Sequence, residues 1–413
     1  MLIICLFIQI DSLSLNQVIN IALRQSPAYL ASREALAKSR VQLYQTFSFL
    51  LPTNTTSANW THSEFSDLTT EKYTGSTNFS IPIFDLDVVS SIVIAKGQEK
   101  GTAIQHEQTV ANLMLNLKKS YYNLIMANEL LNSSQKAQER AQENKKLVET
   151  KYNLGSASRL ELLQAEAFYL QTLQNISQVK TLEMQAQQEL KSMLNIEYTI
   201  YPLDSFIIPD TFILPSLDSL KVILKKANLA INLANQLSSL SKANLWFSML
   251  AFLPKISFFY GYSTSMDSFV FDFDGWREKA TKNYGVSVTF PIFEIKSLIF
   301  NYLTAKKEVR IKEYNRQKAF LESEKGLYTT YYSLQESIDN LKFAKKSLAV
   351  AEEAVVLGRE QYSLGVISLL DFLRTEEEYY NVRINLSKAL GDFYTNQAEL
   401  SFLLGKSTIE ESK

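Results

Sequence analysis

Tyrosine, glycine, serine and a carboxylate recur at one spacing in two places: Tyr152, Gly155, Ser158 and Glu161 in "YNLGSASRLELL", and Tyr362, Gly365, Ser368 and Asp371 in "YSLGVISLLDFL". The chemistry these types support is first of all local. Gly155 and Gly365 supply the left-handed residue that ends a helix, Ser158 and Ser368 cap the next helix, and Glu161 and Asp371, three residues on, close a capping box. The capping explains why each turn forms; it does not explain why an acid stands at both. Other candidates for chemistry are few. His62 and His106 have no ligand spacing around them, Cys5 is the only cysteine, and neither a glycine-rich phosphate loop nor a nucleophile elbow is present. Enzyme, metal and cofactor readings therefore find no residues to carry them.

The elements that must position the two motifs follow from composition. The 413 residues are 46% hydrophobic and 21% charged, enough apolar material for a core. A net charge of −1 and the lack of any Lys/Arg-rich run argue against nucleic acid as a partner. With 12 Gly and 8 Pro in the chain, long stretches rich in Leu, Ala, Gln, Glu and Lys carry neither, and these predict long helices. The opening "MLIICLFIQI" is too short to span a bilayer as a helix and is similar to the apolar region of a secretory signal. Residues 1–12 are read as a truncated signal segment. Lipid modification of Cys5 would want small residues where Ile3 and Ile4 stand.

The paired motif belongs to a tandem duplication. "SLNQVINIALRQSPAYL" from Ser14 aligns without gaps on "SLDSLKVILKKANLAIN" from Ser216, "IPIFD" at Ile81 recurs as "FPIFE" at Phe290, and "SYYNL" at Ser120 recurs as "TYYSL" at Thr330. The anchors keep one order. Residues 13–200 form the first repeat, 201–215 a linker holding three prolines, 216–405 the second repeat, and 406–413 a tail.

Within a repeat, Ser26 ahead of Pro27 starts a helix to about residue 50, and Asn228 can cap its twin. A β-hairpin follows, over about 53–83 in the first repeat and 255–292 in the second. Its alternation is clearest where Ile256, Phe258, Tyr260 and Tyr262 share one face. Next come a very long helix, about 85–153 and 294–363, the glycine turn, and a third helix, about 158–194 and 368–404. The tyrosine pairs 121–122 and 331–332 read as helix packing. Trp60, Trp246 and Trp276 fall in or near the strand regions, as interface anchors do.

Lengths decide the architecture. The long helix spans roughly 100 Å at 1.5 Å per residue. Each strand has about 11 residues, the length of a tilted membrane-crossing strand. Strand edges cannot stay open in lipid, and four strands cannot close a barrel, so a chain with two hairpins must share one with its own copies. Three copies give twelve strands. The alternative is a soluble coiled-coil scaffold, which has no use for two hairpins of bilayer-spanning length at equivalent points.

The twofold repeat, "LSLNQVINIALRQSP" from Leu13, "LLP" before the first strand, "PIF" before the long helix and the paired tyrosine–glycine–serine–acid motif resemble the TolC-like outer-membrane efflux proteins, from about Leu13 to Gly405. The resemblance implies a mainly α homotrimer. Tandem long-helix hairpins would form a trimeric α-barrel through the periplasm, and four strands per chain would form a shared 12-stranded transmembrane β-barrel in outer-membrane lipid. It further implies a passive exit duct working with a periplasmic adaptor and an inner-membrane transporter, in efflux or type I secretion. The repeated motif would be the periplasmic gate. Carried over by position, Tyr152, Glu161, Tyr362 and Asp371 would link neighbouring helices there, and each acid would appear three times around the axis, where rings of carboxylates set cation preference. Some relatives carry a second acid where this chain has Arg374, which can pair with Asp371 at i, i+3.

Overall fold

The computed structural model describes residues 10–66, 68–209, 212, 214–267, 277–291 and 295–405. Cys5 with the rest of residues 1–9, three linker residues, Trp276, residue 294 and the tail beyond 405 lie outside the described residues. The chain divides into two compact units: Met1–Ser32, His106–Leu229 and Phe320–Lys413 in the first, Arg33–Gln105 and Ala230–Ala319 in the second.

Each repeat runs through the same elements. The first has helices α1 (Leu15–Gln25) and α2 (Pro27–Ser48), strands β2 (Thr53–Phe65) and β3 (Leu68–Phe84), and helices α3 (Leu86–Asn153) and α4 (Arg159–Leu194). The second has α5 (Leu217–Ala227), α6 (Leu229–Leu250), β5 (Lys255–Met266), β6 (Thr281–Thr289), α7 (Ile295–Ser363) and α8 (Leu369–Leu403). Two short strands, β1 (Ile10–Leu13) and β4 (Thr199–Pro202), pair in parallel. Sequence alone assigns residues up to 12 to the apolar opening and starts the linker at 201. The pairing joins these segments because it leaves Ile200 fully buried.

Helices α1 and α5 are not anticipated by the sequence reading, which starts the helical part at Pro27. The Ser26 N–H closes α1 on the Ala22 carbonyl at 2.9 Å, while the Ser26 carbonyl accepts from Leu30 at 3.0 Å. One residue thus ends one helix and starts the next, so a single cap signal stands for two helices. At its own start α1 has a reciprocal box between Ser14 and Gln17.

The core of the first unit surrounds α1: Val18, Ala22, Leu117, Tyr121, Leu124, Leu190 and Leu194 are buried together. Each large aliphatic side chain hidden there contributes about 1.5–3 kcal/mol. The Tyr121 hydroxyl lies 2.7 Å from the Leu13 carbonyl and 2.9 Å from the Asp204 carboxylate, and that carboxylate also accepts the Leu15 N–H at 2.8 Å. The linker is thereby tied to the start of α1. Tyr122 is in ring contact with Tyr394, 5.2 Å between centroids, so the first tyrosine pair does serve packing.

In the second unit all strand pairings are antiparallel, in the order β2-β3-β5-β6. The strands have 13, 17, 12 and 9 residues rather than a uniform eleven. The Ser/Asp/Thr-rich stretch around residues 61–70 carries the ladder on to Phe65 opposite Leu68, since threonine suits a pleated strand. A bulge between Pro82 and Phe84 accommodates the proline, which has no N–H to give. Beneath the sheet α3 and α6 approach closely at Gly97: a Cβ there would stand 2.7 Å from Leu240 Cδ1. Helix α2 buries no residue at all.

Candidate functional site

The two glycine turns end their helices identically. Gly155 has φ +75° and Gly365 +76°, in the left-handed region that other residues enter at a cost. Gly155 N–H donates to the Tyr152 carbonyl at 3.0 Å and Ser156 N–H to Lys151 at 2.8 Å; Gly365 and Val366 repeat both bonds onto Tyr362 and Gln361. These are paired Schellman closures.

The following caps differ. At α4 the box is complete, with Ser158 N–H donating to Glu161 Oε2 at 2.6 Å and Glu161 N–H to Ser158 Oγ at 3.2 Å. At α8 the Asp371 N–H donates to Ser368 Oγ at 3.2 Å, but the Asp371 carboxylate takes the Ser368 hydroxyl, at 2.6 Å, instead of the backbone N–H. The expected second box is therefore half a box. Aspartate is one methylene too short to repeat the glutamate's reach.

The tyrosines differ more. Tyr362 is buried at 5% exposure in a cluster with Val148, Ala165, Leu369, Phe372 and Leu373, and its ring stacks on Phe372 with centroids 5.4 Å apart. Its hydroxyl has no hydrogen-bond partner. Burial, and after it the Glu161 carboxylate, push the phenol above its ordinary pKa. Tyr152 is instead 37% exposed, with the Arg159 guanidinium 6.0 Å from its ring. Sequence reads these as twins; the fold makes one a wedge and the other a surface residue.

Lys151, which sequence reasoning missed, ties the two turns together. Its ammonium lies 4.2 Å from the Tyr362 ring centroid and donates to the Tyr362 carbonyl at 3.3 Å, a cation at the carbonyl end of α7. The signal was present, because the twin position holds Gln361. Arg374, by contrast, is exposed and does not pair with Asp371, whose carboxylate is turned back to Ser368. The i, i+3 pair expected from spacing does not form.

A second polar cluster was also missed. Arg140 Nε donates to Glu376 Oε2 at 2.8 Å, and the Glu376 side chain is 4% exposed. The Tyr379 ring stands 5.0 Å from the Arg140 guanidinium and 5.9 Å from that of Arg383. Nothing in local sequence pairs residues so far apart. Among the described residues, no group of three His, Cys, Asp or Glu could hold a metal ion, and no helix is long and apolar enough to cross a membrane.

Residues directly opposite in a sheet share a face, so the ladder register sorts the strands. One face carries Trp60 and Tyr73, then Phe79, Tyr260 and Tyr284 in a row, then Ile81, Phe258 and Val286. The other carries Thr55, Asn78, Gly261 and Asn283 in a row, and Ser57, Ser76, Ser263 and Thr281 in the next. Hydroxyls on this face bond across the strands, Ser57 to Ser76 at 2.8 Å. One side is rich in aromatic and aliphatic residues, with Asn54, Thr56, Thr77 and Lys282 among them, and the other is mainly hydroxylic, the sidedness of a membrane barrel wall. Trp60 is 60% exposed on the apolar side.

Residues 18–195 and 224–406 match the model of the outer membrane efflux protein family. Among curated proteins, no sequence matches the chain. The fold is that of solved outer-membrane channels. The Campylobacter jejuni CmeC channel superposes with a TM-score of 0.80 at 18% identity, covering 95% of this chain and 85% of that one. The open-state MtrE channel of Neisseria gonorrhoeae gives 0.81 at 19%, covering 95% and 88%, and VceC of Vibrio cholerae 0.79 at 14%, covering 95% and 96%. The duplicated family match, the two-faced sheet and the helices around the paired turns agree: the chain belongs to the outer membrane efflux protein family and is an exit duct in the outer membrane, not an enzyme.

Proposed function

We propose that three copies of this chain assemble one duct, with β2 of one copy pairing with β6 of the next to close twelve strands. The observation that carries this is the sheet itself. It has a face rich in aromatic and aliphatic residues for lipid, while among the described residues β2 and β6 each have a partner on one side only. Unpaired backbone groups at such edges cost several kcal/mol each in hydrocarbon, and neighbouring copies remove that cost. The absence of any buried residue on α2 points the same way, since its apolar side chains, Val41, Tyr44 and Phe47 among them, need another surface to cover them.

Cargo passes through passively, delivered by a periplasmic adaptor and an inner-membrane transporter. The paired turns are the gate. Gly155, Ser158, Gly365 and Ser368 set the turn geometry, while Tyr152, Glu161, Tyr362, Asp371 and Arg374 control its opening. Arg374, free of Asp371 within the chain, faces the acids of a neighbouring copy. Single-channel recording in planar bilayers tests both parts. Wild type gives small steps, and Asp371→Ala and Arg374→Ala give larger ones. Unchanged steps in both variants would remove the gate assignment, and the absence of steps in any of the three would remove the shared barrel.

A further inference from the structure

The hydroxylic face of the sheet has one exception. Between Lys255 at one end of that face and Lys72 at the other, Phe259 is the only aromatic residue among the described ones, in a row with Thr53, Ser80 and Gly285. Between Lys255 at one end and Lys72 at the other, that face carries no ionisable group among the described residues. A wall of small hydroxyls and amides has little grip on an apolar solute, and an aromatic ring standing in it is the one surface that does. Phe259 is not there to fill a core, because 38% of it remains exposed. Its placement is also specific. The ring reaches over the glycine opposite: a Cβ at Gly285 would stand 3.3 Å from both Cε1 and Cζ of Phe259. Glycine at that position leaves room for the ring beside the strand, where any larger residue would press on it.

We propose that Phe259 is a specificity-determining residue of the duct: three copies form an aromatic collar inside the barrel, four residues from the start of β5, which retains cargo bearing a flat aromatic or cationic surface. This rests on the shared barrel proposed above, whose hydroxylic face lines the lumen. An aromatic face attracts a cation or a flat ring placed over it, more strongly where water is partly excluded. The uncharged wall around the collar neither repels nor competes for such a solute.

The test uses the full-length protein in planar bilayers with two probes added on the barrel side, ethidium as a flat aromatic cation and tetraethylammonium as a cation without a ring. Ethidium blocks wild type, and Phe259→Leu and Phe259→Ser raise the blocking concentration by at least about fivefold, the scale of one lost aromatic contact. Phe259→Trp keeps the block, and tetraethylammonium, which the same face attracts as a cation without stacking, blocks wild type more weakly and loses that block in the leucine and serine variants. The leucine variant keeps the bulk over Gly285, so its loss of block reports the ring and not the fold. Equal ethidium block in all variants overturns the collar while leaving the barrel standing. Absence of conductance steps in wild type overturns the barrel, and the collar with it.

Discussion

The ammonium of Lys151 lies 4.2 Å from the ring centroid of Tyr362 and hydrogen-bonds the carbonyl of the same residue, so one side chain of α3 holds both the face of an aromatic ring and the carbonyl end of α7. A cation in this partly buried position contributes about 1 kcal/mol. Lys151→Met should therefore raise the open fraction of single channels roughly fivefold, following that free energy. Lys151→Arg keeps both contacts and leaves the fraction near wild type. A Met variant indistinguishable from wild type would mean the clasp holds in both states.

The Tyr121 phenol is pushed above its usual value chiefly by burial, with the Asp204 carboxylate adding to it. The unfolded chain then loses this proton first. Stability is independent of this group below pH 10 and falls as pH rises beyond it, by up to about 1.4 kcal/mol per unit. Tyr121→Phe removes this residue's share of the alkaline slope and costs about 1–3 kcal/mol at neutral pH, because the Leu13 carbonyl and Asp204 lose a buried donor. Denaturant unfolding at neutral and alkaline pH measures both effects.

Breaking the Arg140–Glu376 pair from one side leaves a buried charge without its partner. Arg140→Met, which strands the 4%-exposed Glu376 carboxylate, is expected to destabilise by about 3 kcal/mol. The double replacement Arg140→Met with Glu376→Leu should recover most of that loss, since it removes both charges. A thermal double-mutant cycle reads the difference, and additive losses would show that the two side chains act independently.

The two turn glycines separate strain from crowding. Nothing lies within 4 Å of a Cβ added at Gly155 or Gly365, so alanine there costs only the left-handed backbone, roughly 1–2 kcal/mol. Asparagine costs less. At Gly405, with φ +65°, a Cβ would also run into the Ala227 carbonyl, so Gly405→Ala should be the most damaging of the three in thermal unfolding.

Sequence by itself determined the repeat, the long helices, the hairpins and the glycine turns. Each of these is written in local chemistry: a missing proline, a two-residue alternation, a serine three places before an acid. Its resemblance to an efflux family was legible for the same reason, since the order of local signals survives where single residues do not. Local rules also misled where two elements share one residue, as at Ser26. Only the tertiary structure decided the rest. It paired β3 with β5, joining hairpins from separate repeats into one sheet. It set Lys151 against Tyr362, Arg140 against Glu376 and Phe259 among hydroxyls. It also buried Tyr362 while leaving its twin Tyr152 exposed. Burial and charge pairing depend on what the chain brings back from afar, and two similar motifs acquire different roles once different neighbours close over them.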